Sequence, residues 1–190
     1  MSGGGFHVHG PHDHELEHAG QHGDTHAGAI AVVTAIIATI GAIFAYMGGA
    51  TQANAGLYKN NAAIKKTEAS NQWNYYQAKS GKQNLSELAI ELAPDTKKPF
   101  YTEEIARYKK EKAVIKKDAE KLDLASSEWD KKSDEEMHQH HRWAQATTVL
   151  QIAIALAAIA LLTKKRWVEY GMFGVTALGF VVGVLAALHV

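Results

Sequence analysis

Histidine is the residue type in this chain that could do the most chemistry, and its distribution is uneven. Seven of the eleven histidines lie in the first 26 residues, namely His7, His9, His12, His14, His18, His22 and His26. The last four are spaced by four residues, so on a helix their neutral imidazoles would share one face and could chelate a divalent metal in pairs. Such a tract suits Zn, Ni, Cu or Co, with carboxylates at Asp13 or Glu17 as further ligands. The alternative is a solvated tail whose histidines bind no metal in the cell.

A second histidine group consists of His138, His140 and His141, just before an uncharged stretch. On a helix Asp134, His138 and His141 would share a face, which would allow an interfacial metal or proton site. The competing interpretation is a polar helix surface at the level of the lipid headgroups. We keep these three histidines with the seven of the tail as candidate metal ligands.

Catalytic motifs are few. The chain has no cysteine, which excludes disulfides, thiolate zinc sites and cysteine nucleophiles. Glu15-x-x-His18 and Glu135-x-x-His138 match an element of di-iron bundle proteins, but no further glutamates are placed to complete such a site. The sequence contains no Gly-x-Ser-x-Gly elbow, and no glycine-rich phosphate loop follows a strand. We therefore expect a protein that is not an enzyme.

Three stretches without Lys, Arg, Asp or Glu indicate a membrane protein. Residues 27–50, 144–163 and 170–188 contain 24, 20 and 19 residues, and about 20 apolar residues are needed to cross the hydrocarbon core. Tyr46, Trp143, Trp167 and Tyr170 lie near their ends, as in the aromatic belts of membrane helices. The row Gly179-x-x-x-Gly183-x-x-x-Ala187 predicts close helix packing. The formal net charge is zero, so nothing indicates a nucleic-acid partner.

The charged region between the first two stretches predicts a helical hairpin. Residues 51–93 and 100–143 form two proline-free arms of 43 and 44 residues on either side of the breaker that runs from Pro94 to Pro99. The predicted fold class is an all-α membrane protein, with three transmembrane helices and a long antiparallel coiled-coil-like hairpin inserted between spans one and two. The predicted segments are a tail (1–26), span one (27–50), the hairpin (51–143, tip 94–99), span two (144–163), a basic turn (164–169) and span three (170–190).

Heptad patterns predict how the two arms meet. In the first arm Leu57, Ile64, Asn71, Ala78, Leu85 and Leu92 recur every seven residues. In the second arm spacings of three and four connect Ile105, Tyr108, Lys112, Ile115, Ala119, Leu122, Ser126 and Trp129. We expect these two sets to form a coiled-coil seam, and its polar positions favour a homo-oligomer. Trp73, Tyr75 and Tyr76 are expected to pack on the facing arm near Leu122 and Trp129 rather than to form an exposed binding patch.

Basic residues predict the orientation in the bacterial inner membrane. Lys164, Lys165 and Arg166 lie in a short turn and favour the cytoplasm, which would place the tail in the cytoplasm and the hairpin outside. The opposite orientation is favoured by basic residues that flank the hairpin, namely Lys59, Lys65, Lys131, Lys132 and Arg142.

Several short motifs give the chain a family resemblance. They are the run from Asn71 to Ser80 with its Trp-x-Tyr-Tyr-Gln-Ala-Lys-Ser core, Ala106-Arg107-Tyr108, His138-Gln139-His140-His141-Arg142, and Thr163-Lys164-Lys165-Arg166-Trp167. With these motifs the chain resembles the bacterial domain-of-unknown-function family DUF4337 over nearly its whole length. The resemblance implies a small three-span membrane protein with a helical insert, and it implies no activity or site residues.

The functional expectation is an oligomeric integral membrane protein that binds a divalent transition metal through its histidine-rich tail. The alternative is a structural scaffold or accessory subunit that acts through hairpin and span contacts, with the histidines incidental. Its expected partners are the lipid bilayer, further copies of itself and an unidentified membrane or envelope protein.

Overall fold

A computed structural model describes residues 25–189, and the regular structure in this range is α-helical. Helix α1 covers Thr25–Leu92, α2 covers Lys98–Thr163 and α3 covers Arg166–Ala187. The predicted all-α class is confirmed for this part of the chain.

The prediction of three transmembrane helices with a hairpin inserted between the first two is wrong. Helices α1 and α2 are uninterrupted and contain 68 and 66 residues, far more than the about 20 that a single span requires. No helix boundary falls at residue 50 or at residue 143, and α1 packs against α2 as a hairpin. A change from apolar to charged side chains does not interrupt the backbone hydrogen bonds, so each helix continues until the backbone itself is broken.

The breaks between helices have local causes. Helix α1 ends two residues before Pro94, and the amide of Lys97 donates a hydrogen bond of 2.8 Å to the Pro94 carbonyl oxygen in the connecting turn. Pro99 lies in the first turn of α2, where its missing amide hydrogen costs no intrahelical bond. Helix α2 ends where Lys164 takes a left-handed conformation with φ of 52°, and only Lys164 and Lys165 separate it from α3.

The chain divides into two compact units. The apolar unit comprises Met1–Gly48 and His141–Val190, of which the structure describes residues 25–48 and 141–189. Its core contains two clusters, one formed by Ile30, Ala157 and Met172 and the other by Ile37, Leu150 and Ala153. On α2 the buried residues follow helical spacing and are mostly alanines, which lets neighbouring helices approach closely.

The polar unit, Gly49–His140, is a two-helix seam. On α2 the buried residues include Tyr108, Ile115, Ala119 and Ser126, so the seam predicted for the second arm is confirmed. On α1 the buried residues include Ala55, Ala62 and Ala69, two positions before the predicted Leu57, Ile64 and Asn71. The seam predicted for the first arm is therefore wrong. The small alanine side chains let α1 lie close to α2, which the larger leucines would prevent.

Candidate functional site

The structure tests little of the predicted metal chemistry. His7, His9, His12, His14, His18 and His22 lie outside the described residues, so the tail site stays a prediction. His26, the last of the histidines spaced by four, lies near the start of α1. His138, His140 and His141 lie on α2, and within residues 25–189 no group of three or more His, Cys, Asp or Glu residues is close enough to hold a metal ion.

His26 makes a contact that the sequence did not indicate. Its Nε2 lies 2.9 Å from Oε1 of Glu169, 143 residues later in the chain, at the start of α3. The Glu169 side chain is largely buried, whereas that of His26 is mostly exposed. The pair therefore joins α1 to α3 within the apolar unit.

A partly buried lysine, Lys79, contacts both helices in the seam of the polar unit. Lys79 Nζ forms an ion pair of 2.5 Å with Oε2 of Glu111 and lies over the rings of Tyr75 and Tyr108 at 5.2 and 5.6 Å. The contact with Lys79 lowers the pKa of the Glu111 carboxyl, and the same contact raises the pKa of Lys79. Arg107 also lies over the Tyr108 ring. The group therefore combines an ion pair with cation–π contacts.

A second polar group is centred on Asp123. Its Oδ1 accepts a hydrogen bond of 2.8 Å from Lys66 Nζ, and its Oδ2 accepts one of 2.8 Å from Trp73 Nε1. Lys66, and then Trp73, hold the pKa of the Asp123 carboxyl below its ordinary value. The expected packing on the facing arm is confirmed for Trp73, which contacts Asp123, the residue after Leu122. It is wrong for Tyr75, which is half-exposed. Trp129 instead packs against Tyr58, with ring centroids 5.5 Å apart.

The residues predicted for the first-arm seam form an exposed stripe on α1. We call Leu57, Ile64, Asn71, Ala78, Leu85 and Leu92 the outer stripe; all six are exposed. None of the six is charged. The polar unit thus carries an uncharged, mostly apolar row of heptad spacing that is exposed in the described part of the chain.

The apolar unit exposes a much larger apolar surface. Its exposed large side chains include Val32, Ile36, Ile43, Ile152, Leu162, Phe173, Leu178, Val181 and Val184. Each of the three helices contains a window of 18 residues that is apolar enough to cross a membrane, judged by length and composition alone. Only 17%, 28% and 22% of the residues in these windows are buried within the protein. Most of this apolar surface therefore faces outward.

The predicted small-residue row packs inside the apolar unit. A Cβ atom placed on Gly179 would come within 2.6 Å of Cδ2 of Leu150, and one on Gly183 within 2.4 Å of the Phe44 ring. Both glycines are buried, whereas Ala187 is exposed and its neighbour Ala186 is buried instead. Close packing at the two glycines is confirmed.

Three of the four aromatic residues predicted for a membrane belt are exposed, namely Tyr46, Trp167 and Tyr170. The belt itself stays a prediction. Trp143 is buried and packs against the Phe44 ring, with centroids 5.2 Å apart. Its place in the belt is therefore wrong, because the ring is used in the core.

Two signals in the sequence could have indicated the seam between α1 and α2. The first is the alanine row at positions 55, 62 and 69, which also recurs every seven residues. The second is the serine pair on α2: the Ser126 hydroxyl contacts the Ala62 carbonyl oxygen, and the Ser133 hydroxyl contacts that of Ala55. Small residues on both sides of a seam indicate close helix packing more directly than large ones do. The contact between His26 and Glu169 has no comparable signal, since nothing in local spacing relates residues so distant.

The comparisons with known proteins give one family. The model of the domain of unknown function DUF4337 matches residues 26–189. No curated protein and no solved structure matches the chain. The matched range covers the three helices almost completely. The chain therefore belongs to the DUF4337 family.

Proposed function

We propose that this protein is a non-catalytic structural protein of the bacterial inner membrane. Its apolar unit lies in the hydrocarbon of the bilayer, and its polar unit is a scaffold that holds another membrane or envelope protein. The observation that carries the proposal is the outward-facing apolar surface of the apolar unit. Exposure of such a surface to water is energetically unfavourable.

The size of this surface supports a lipid environment. Exposed apolar area costs roughly 25 cal/mol per Å² relative to burial, and soluble monomers rarely expose contiguous apolar patches above a few hundred Å². The apolar unit exposes large side chains on all three helices, among them Ile36 on α1, Leu162 on α2 and Val181 on α3. Lipid chains would remove this whole surface from water at once, whereas a protein partner would have to surround the unit.

The polar unit has the composition of a solvated scaffold. Its exposed surface on α2 is rich in charge, with Lys109, Lys110, Lys117 and Lys121 among the exposed residues. Two polar contacts join α1 to α2 in its interior. Lys79 on α1 pairs with Glu111 on α2, and Trp73 on α1 donates a hydrogen bond to Asp123 on α2. These contacts join α1 to α2 and support a structural role for the hairpin. The basic residues Lys164, Lys165 and Arg166 favour the cytoplasmic side for the connection before α3.

A matched pair of valines tests the membrane placement. Val32 in the apolar unit and Val114 in the polar unit are each 62% exposed. We would express Val32→Arg and Val114→Arg separately and measure the share of protein that stays in the membrane pellet after an alkaline carbonate wash. Arginine costs about 2.5–3.5 kcal/mol at the centre of a membrane helix and less toward its ends, so Val32→Arg should lower membrane retention. Val114→Arg should behave like the unchanged protein.

Two results would contradict the proposal. The first is equal membrane retention of the two variants. The second is purified protein that stays monodisperse in plain buffer without any surfactant. The wash also separates an embedded protein from one that only adheres to lipid headgroups, because carbonate releases the latter.

Metal binding by the tail is a second candidate function, and one observation favours it. The observation is the spacing of His14, His18, His22 and His26, which recur every four residues in the sequence. Neutral imidazoles at this spacing suit Zn, Ni, Cu or Co. His26 also contacts Glu169, so metal binding at this position would compete with that contact. The two functions are compatible, since the scaffold role uses the polar unit and the metal role uses the tail.

A further inference from the structure

The outer stripe is a second heptad face on α1. Its six residues occur at intervals of seven from Leu57 to Leu92, and all are exposed in the single chain. The seam toward α2 uses a different set, represented by Ala55, Ala62 and Ala69. Helix α1 therefore has one covered heptad face and one uncovered heptad face.

The seven-residue spacing specifies the shape of whatever covers the outer stripe. A repeat of seven keeps one row of residues facing a neighbour only when that neighbour is another helix that supercoils with it. The row covers 36 residues, which is about 54 Å of helix at a rise of about 1.5 Å per residue. A compact globular surface or a short peptide would not remain in contact with it over this length.

The chemistry of the outer stripe favours a second copy of the same stripe. None of its residues is charged, so two copies meet without repulsion between like charges. Asn71, near the middle, carries both a hydrogen-bond donor and an acceptor in its amide and can therefore pair with itself. A single asparagine in such a core is known to fix the register and the two-stranded state of coiled coils. The exposed α2 surface offers no equivalent row, because Lys109, Lys116 and Lys117 interrupt it.

We propose that the outer stripe binds the outer stripe of a second copy of this chain in a parallel, two-fold symmetric pair. Each residue meets its own counterpart, so leucine layers form at positions 57, 85 and 92, and the two Asn71 amides pair between them. An antiparallel pair would instead place Asn71 opposite Ala78 of the second copy and leave the amide without a partner. The parallel orientation rests on the proposed membrane function: the apolar unit ends at Gly48, nine residues before Leu57, and two copies in one bilayer would extend their polar units from the same side.

The absence of cysteine from the chain permits a direct test by cross-linking. Ala78 on the outer stripe and Ala113 on α2 are both exposed alanines and make a matched pair. Under mild oxidation in native membranes, Ala78→Cys should form a disulfide-linked dimer in most molecules, and Ala113→Cys should remain monomeric. A mixture of Leu57→Cys and Leu92→Cys copies should give dimers of each with itself and no mixed dimer. Equal cross-linking at 78 and 113, or predominantly mixed 57–92 dimers, would overturn the proposal.

A second experiment needs no cross-link and no membrane. Leu85 and Leu124 are each 67% exposed, and Ile64 and Val114 are also exposed, so glutamates at these positions should leave the single chain folded. In detergent, the pair Ile64→Glu and Leu85→Glu should raise the dissociation constant of the dimer at least about 100-fold, because two like charges would be buried in facing layers. The pair Val114→Glu and Leu124→Glu should leave it unchanged. Sedimentation that shows a monomeric unchanged protein, or the same shift for both pairs, would overturn the proposal.

The cross-linking and sedimentation results are independent of the carbonate wash. The outer stripe lies entirely in the polar unit, so a failure of membrane retention at Val32 would leave the dimer in detergent unaffected. A dimer in detergent, together with equal membrane retention of Val32→Arg and Val114→Arg, would refute the membrane function and keep the interface. Loss of retention by Val32→Arg alone, without a dimer, would refute the interface and keep the membrane function.

Discussion

The hydroxyl of Ser126 donates a hydrogen bond of 2.9 Å to the carbonyl oxygen of Ala62, 64 residues earlier in the chain. Ser133 makes the same contact with the carbonyl oxygen of Ala55 at 2.8 Å, one heptad further along. A hydroxyl can reach a helical carbonyl oxygen on a neighbouring helix only if the two backbones lie close together. Alanine on α1 and serine on α2 make that approach possible, and this contact sets which face of α1 is covered.

The alanine seam should be intolerant of larger side chains. Ala62 is buried and Ala63 is exposed, so the two neighbouring alanines give a matched comparison. Ala62→Leu should lower the free energy of unfolding by about 1–3 kcal/mol through overpacking, whereas Ala63→Leu should change it little. Chemical unfolding followed by circular dichroism in detergent measures both. Equal effects would show that the helices are not in close contact at this point.

The glycine row should show the same intolerance inside the apolar unit. A Cβ atom on Gly183 would come within 2.4 Å of the Phe44 ring, and that ring is itself held against Trp143. Gly183→Ala should therefore lower thermal stability in detergent by an amount equivalent to about 1–3 kcal/mol. Gly174→Ala, with nothing within 4 Å of the added atom, should be neutral or slightly stabilising.

A double substitution checks the cause of the Gly183 effect. In a Phe44→Ala background the ring is gone, so Gly183→Ala should cost little beyond the cost of Phe44→Ala itself. If the two costs simply add, the contact between position 183 and the ring is not the reason for the loss.

The Asp123 group should make the polar unit sensitive to acid. Its pKa is held below the ordinary value of 3.8 by Lys66 and then Trp73, so the carboxylate stabilises the fold above that value. The stabilisation is lost as the pH falls through the lowered pKa, because the native carboxylate must then accept a proton. Asp123→Asn should be less stable than the unchanged protein at neutral pH, and the difference should shrink in strong acid.

A control distinguishes this linkage from a general effect of charge. Asp118 is an exposed aspartate on the same helix and forms none of the contacts made by Asp123. Asp118→Asn should leave the stability difference between neutral and acidic pH as it is in the unchanged protein. The assignment fails if both variants flatten the pH dependence equally.

The metal proposal predicts where binding is lost. Calorimetry with Ni²⁺ or Zn²⁺ should show saturable, submicromolar binding to the full chain and none to a chain that starts at Gly28. Replacement of His138, His140 and His141 by alanine should leave binding intact, since within residues 25–189 no group of three or more candidate ligands is assembled. Heterogeneous weak uptake by the full chain, or equal binding by the shortened chain, would count against the tail as a metal site.

Part of the fold could be predicted from the sequence because it depends on local rules. The two proline-free arms indicated long helices, and Pro94 marked the turn that follows α1. The second-arm seam was also correct, since Tyr108, Ile115 and Ala119 are its buried residues. The predicted number of helices was wrong. The first two apolar stretches were counted as separate helices, but no backbone break separates them from the arms.

The covered face of α1 could not be predicted from hydrophobicity on α1 alone. Two rows with a period of seven exist on this helix, one of alanines and one containing leucines, and hydrophobicity favours the leucines. The alanine row is covered because the distance between α1 and α2 is set by both helices together, and by hydroxyls on α2 that need a nearby carbonyl. A sequence pattern on one helix carries no information about that distance.

By itself the sequence determined that the chain is helical, where its backbone must turn, and which residues are apolar enough to avoid water. These properties follow from propensity, proline and the free energy of transfer, which act on each residue where it stands. Only the tertiary structure decided that Ala62 faces Ser126 while Leu57 faces outward, and that Phe44 occupies the space beside Gly183. These contacts depend on shape complementarity between two helix surfaces, which is defined only when both helices are in place.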